Sequence, residues 1–158
     1  MNTVELLQYS LGFAFDILGA VTADLTQEQI DWQPPGTVNT IGAIYSHIIT
    51  YVDFFIQNWG IEGKRQSETV EDRPEEIRMQ EVQVDLSALH ESAGKVRNKT
   101  QDWLSSLTPA DLSRKRHTTI GELTVGQALE AYIIWHINTH CGEIAALKGC
   151  QGAKGYPW

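Results

Sequence analysis

The chain has 158 residues, 42% hydrophobic and 20% charged, with 20 acidic against 12 basic side chains and a net charge of −8. That length suits one domain with one sizeable core, expected to span residues 1–158. The acidic balance argues against nucleic acid as a partner, because phosphate binding needs a basic face, and no run reaches the roughly 18 consecutive apolar residues of a membrane span.

The N-terminus, MNTVELLQYSLGF, carries Glu5 early and lacks a basic region ahead of its apolar residues, so it does not read as a signal peptide and a cytoplasmic location is expected. A first helix is predicted from Thr3 to Ala23, with Leu6, Leu7, Phe13, Phe15, Ile17, Leu18 and Val21 as its apolar stripe. The connection that follows holds a short helical turn at Thr26 to Ile30 and then Trp32, Pro34, Pro35 and Gly36. A second helix is predicted from Thr40 to Gln57, with the Thr40 hydroxyl as N-cap. After a polar connection from Trp59 to Arg73, a third is predicted from Pro74 to Leu107, starting on Pro74 with Glu75 and Glu76 in its first turn and with Gly94 as a possible bend. TPADL reads as a single turn, and Arg114, Lys115 and Arg116 as a solvated loop. The fourth helix is predicted from Val125 to Lys148, opened by the capping box of Thr124 and Gln127 and stopped at Gly149. The tail GCQGAKGYPW is not helical. No strand pattern or internal repeat stands out. The fold class is therefore all-α, a four-helix bundle with its ligand site in the bundle core.

The chemistry gathers on histidine. His136 and His140 are four residues apart in AYIIWHINTHCGEIAALKG, so they stack on one helix face. His47 lies among Ile44, Ile48, Tyr51 and Phe55 in the second helix, an inward setting. The residues around His136 and His140, which include Ile133, Trp135, Ile137 and Ala145, read as inward too. Buried neutral imidazoles need partners, and a divalent ion shared by three of them would provide one while leaving open coordination positions. H-x-x-x-H alone is a weak signal, more often ordinary helix content than a metal site; the inward His47 is what strengthens it. The zincin motif is absent, because Ile137 stands where a general-base Glu would follow His136. A di-iron bundle would need several inward glutamates, and the local order here, His140 then Glu143, is the reverse of Glu-x-x-His. Glu143 shares the stripe and is placed as an acceptor for an imidazole N–H, as a general base through water, or as a plain solvated residue. Tyr51 is placed either to aim its hydroxyl at the site or to pack in the core. His90, His117, Cys141 and Cys150 read as bystanders, and two cysteines without a secretory signal make no disulfide framework. Trp32, Trp59 and Trp158 read as packing over the bundle ends, or as the wall of an apolar pocket beside the metal.

Taken together, DLTQEQIDWQPPG, NTIGAIYSHIITYVDFF, AYIIWHINTHCGEIAALKG and the closing G-x-x-G-x-x-G-Y-P-W resemble, in order and spacing, the DinB-like (DinB/YfiT-like) superfamily over nearly the whole chain. The resemblance implies a four-helix bundle, often a homodimer, with a divalent metal (Zn, Ni or Fe) on His47, His136 and His140. It also implies a small-molecule substrate, because some members transfer low-molecular-weight thiols to electrophiles. The expected activity is accordingly metal-dependent thiol transfer. The alternatives are a hydrolase using a metal-bound water, with Glu143 moving the proton, and a non-enzymatic metal-binding bundle. Neither nucleic acid nor membrane is expected as a partner.

Overall fold

Side-chain caps set where the helices begin in the computed structural model, which describes residues 2–57, 84–118 and 120–158. The Asn2 carboxamide accepts from Glu5 N–H and opens α1 (Thr3–Thr22). Thr26 does the same for the short α2 (Gln27–Asp31), and Thr40, accepting from Ala43 N–H, for α3 (Ile41–Phe55). Asp85 caps α4 (Leu86–Ser105), and Thr108 the single turn α5 (Pro109–Leu112). Thr124 and Gln127 form the expected capping box of α6 (Val125–Leu129). From there the chain runs through a π-helical turn at Glu130–Ile134 into α7 (Trp135–Cys150). Each cap gives a partner to a first-turn N–H that the helix itself leaves open.

The long helices pack as a bundle: α1 lies against α4 and α7, and α3 lies against the same two. Leu11, Ala14, Leu18 and Val21 of α1 meet Ile44, Ile48 and Val52 of α3, Leu104 of α4 and Ile133, Ile137 and Ile144 near α7 in one apolar core. Their three- and four-residue spacing is the stripe that a helix buries. By length and composition alone α1 would suffice to cross a membrane, with a mean hydropathy of 1.3. Here one face of it is instead core, and Val4, Leu7, Leu11 and Phe15 are all buried.

Three expectations are corrected. The third helix does not run unbroken from Pro74: Val84 is outside any helix, Asp85 is extended and α4 starts at Leu86, because the Asp85 carboxylate takes the Ala88 N–H and ends any continuation toward the N-terminus. Residues 74–83 lie outside the described residues. The fourth helix passes through Gly149 to Cys150, and the glycine at the stop is Gly152, with φ +79°. The basic loop is part of a hairpin, β1 (Lys115–Thr118) paired antiparallel with β2 (Gly121–Thr124). Gly121, at φ +114°, supplies the left-handed turn. Lys115 pairs with Glu122 across the strands at 2.7 Å and Arg114 with Asp111 at 2.8 Å, so two of the three cations are partnered.

Two contacts close the bundle end. The tail comes so near α7 that a Cβ on Gly155 would lie 2.8 Å from the Ala145 carbonyl oxygen. Gly155→Ala is therefore expected to lower stability by about 1–3 kcal/mol, the usual range for forced overpacking. A urea melt identical to wild type would show that the tail shifts at no cost. Lys148 is almost fully buried. Its Nζ donates to the Val21 carbonyl, an otherwise open acceptor at the end of α1, at 3.0 Å, and to the Asp24 carboxylate. The hydrogen bond from Lys148 holds the Asp24 carboxyl below its ordinary 3.8. With the folded value below the unfolded one, this stabilisation is present above the ordinary value and is lost as pH falls through the folded one. Asp24→Asn is thus expected to lower the melting temperature at neutral pH, and the gap to wild type is expected to close as pH drops well below 3.8.

Candidate metal centre

The packing of α3 on α7 carries His47 to His136 and His140. One candidate ligand atom on each ring lies within 4.8 Å of those on the other two. Ring centroids are 5.0 Å apart for His47 and His136, 5.1 Å for His47 and His140, and 4.4 Å for His136 and His140. His140 is buried; His47 and His136 are half-buried on the side that faces a pocket.

Neighbouring side chains fix the rings. Glu143, one turn beyond His140, approaches His140 Nδ1 with Oε2 at 2.7 Å. A carboxylate only accepts, so Nδ1 carries the proton and donates, and the Nε2 lone pair is left for a ligand. Tyr51 lies flat on the His136 ring, centroids 4.1 Å apart and planes 21° from parallel, and its ring centre is 5.7 Å from that of His47. Tyr51 therefore belongs to the site, through its ring face. Asp53 does not: its carboxylate is held by Lys99 at 2.6 Å and by Gln57.

Donor chemistry and spacing both fit a divalent first-row ion. Neutral imidazole is a good ligand for zinc, nickel and iron. Two nitrogens about 2.1 Å from a shared tetrahedral zinc are about 3.4 Å apart. A spread of up to 4.8 Å thus asks the side chains to close by up to about 1.4 Å around the ion, within the reach of rotations about their χ angles.

The pocket of about 550 Å³ is lined by His47, Tyr51, Ile120, Glu130, Ala131, Tyr132, Trp135 and His136. Its wall is built by the π turn, in which Trp135 N–H bonds to the carbonyl of Glu130, five residues back. That wider turn puts Glu130, Ala131, Tyr132 and Trp135 on one cavity, an arrangement frequent at functional sites. Trp135, expected to point inward, is instead 65% exposed at the pocket wall. Ile120, at the hairpin turn, closes the rim. Among the described residues, the tryptophan on the wall beside the metal site is Trp135, in the histidine helix. Trp32 packs on the core, Trp158 stacks on Tyr156 at 5.3 Å, and Trp59 lies outside the described residues. The one sequence sign of Trp135's role is its place beside His136; the turn that exposes it has no glycine or proline to mark it.

The bystanders stay apart from the triad. Nδ1 of His90 meets the Tyr45 hydroxyl at 3.2 Å, and His117 is exposed in β1. Burial pushes the Cys141 thiol up to about 12, so it is no thiolate at neutral pH. Cys150 is exposed and free.

No curated protein matches this chain. The family model of the DinB superfamily matches residues 12–144, a stretch that takes in all three histidines and Glu143, and with that much of its length covered the chain belongs to the DinB superfamily.

Proposed function

We propose that the protein is a metal-dependent enzyme in which His47, His136 and His140 hold one divalent ion and the adjoining pocket seats a small-molecule substrate. The observation that carries this reading is the convergence of three imidazoles within 4.8 Å, two of which, those of His47 and His136, also line an aromatic-walled pocket. A divalent ion bound there supplies Lewis acidity, lowering the pKa of a thiol or water beside it. The protein's own groups do the rest. Glu143 holds the His140 tautomer. Tyr51 keeps the His136 ring in place. Tyr132, Trp135 and Ile120 shield an apolar reactant from water. The role that the 2.7 Å contact suggests for Glu143 is orientation of His140, more than proton transfer to a substrate.

Transfer of a low-molecular-weight thiol to an electrophile is the first activity of this proposal, and hydrolysis the second. The test compares metal-reconstituted wild type with His140→Ala. Thiol conjugation to an activated aryl halide is followed by mass spectrometry, and cleavage of aryl esters is followed without thiol. Conjugate formed by wild type and lost in the variant supports transfer. Ester cleavage alone, lost in the variant, supports hydrolysis. Neither activity, with metal bound, overturns the enzymatic reading in favour of a metal-binding bundle. A cytoplasmic homodimer completes the proposal, on family kinship. Sedimentation of a single 17.7 kDa species at micromolar concentration would overturn the dimer.

A further inference from the structure

The pocket beside the triad has an uneven chemistry. Among the described residues its walls are the aromatic rings of Tyr51, Tyr132 and Trp135 with Ile120 at the rim, and its one carboxylate is that of Glu130; no lysine or arginine lines it. Glu130 is exposed and forms no ion pair among the described residues. Ring faces carry partial negative charge and attract cations, and a carboxylate beside them adds to that attraction. The histidine end is different, because a divalent ion held by neutral imidazoles would repel a second cation close by.

Separation along the helix reconciles the two ends. Glu130 precedes His136 by six positions, and at the α-helical rise of about 1.5 Å per residue this is at most about 9 Å along the axis, the π turn making it somewhat shorter. That is close to the roughly 8 Å over which physiological salt screens charges. A ligand lying along the wall therefore places one end at the histidines and the other beside Glu130.

We infer that the pocket takes a flat, apolar small molecule whose far end bears a cationic nitrogen, and that Glu130 selects this molecule against anions of the same shape. The inference rests on the pocket being the substrate site of the proposed enzyme. In the thiol-transfer version it assigns this pocket to an electrophile with a cationic end.

The test is calorimetric titration of the full chain with phenylpropyltrimethylammonium, which cannot ligate a metal, and with phenylbutyrate. Metal-free and zinc-loaded samples are both used, because the carboxylate of phenylbutyrate can bind zinc. In metal-free wild type the ammonium is expected to bind about tenfold more tightly than the carboxylate, the scale of one desolvated cation–π contact. Glu130→Gln is expected to bring the two affinities close together, and Glu130→Lys to reverse their order. Equal affinities in wild type, preference for phenylbutyrate, or no measurable binding of either probe would overturn the inference. So would an unchanged ratio in Glu130→Gln, with circular dichroism confirming the fold. Metal content measured on the same samples keeps the two readings apart. If zinc fails to bind, the metal-enzyme reading falls, while an ammonium preference in metal-free protein still upholds the selection by Glu130.

Discussion

His136→Ala is expected to take bound divalent metal from about one ion per chain to none after dialysis, because three protein ligands are what a catalytic site of this type retains. Elemental analysis of tag-free protein reads this directly. His136 is the residue to change, because it is both a member of the triad and the ring on which Tyr51 stacks. The same loss is expected in stability. With zinc at a hundred times its dissociation constant, binding to the folded state adds about 2.7 kcal/mol to wild type, and the variant gains nothing. Acid is expected to have a similar effect, since imidazole binds metal only when neutral. The metal-dependent gain is lost once acid protonates the ligating rings. His90→Ala, which removes a ring bonded to Tyr45 and outside the histidine cluster, should leave metal content unchanged. Metal retained by His136→Ala at wild-type level would sink the three-histidine site.

Glu143→Ala is expected to weaken metal affinity by about 10–100-fold, the usual cost of removing the acceptor that orients a ligating histidine. Its side chain is 47% exposed, so the unfolding midpoint of the metal-free protein should scarcely move. Glu143→Gln keeps an acceptor for His140 Nδ1–H without the charge and should fall between wild type and alanine. Competition with a chromophoric chelator measures all three. If alanine and glutamine leave affinity intact while abolishing turnover, Glu143 acts on protons and not on His140, and the orienting role is wrong.

How far the site was legible depended on how local each signal is. The turn between His136 and His140 follows from helix geometry alone and is legible from spacing, whereas the reach from His140 to Glu143 is one of three placements that the spacing allows. Thr40 and Thr124 marked helix starts for the same reason, since a cap involves residues only three apart. Val84 and Asp85 show the opposite case. The propensities around them allowed a continuous helix, yet Gln27 of the distant α2 accepts from Leu86 N–H and donates to the Val84 carbonyl, tying down the strand-like entry to α4. The hairpin was missed because four-residue strands with a polar pattern give no alternation to detect.

The amino-acid sequence by itself determined the helical class, the apolar stripes, the capped starts and the paired histidines one turn apart, because each depends on contacts within one or two helical turns. Only the tertiary structure decided that His47 meets that pair, that Tyr51 enters the site through its ring, and that Trp135 and Glu130 line a pocket. The first two depend on how α3 docks against α7, and the last on a π turn, closed by the hydrogen bond from Trp135 N–H to the Glu130 carbonyl, that widens the helix without any special residue to announce it.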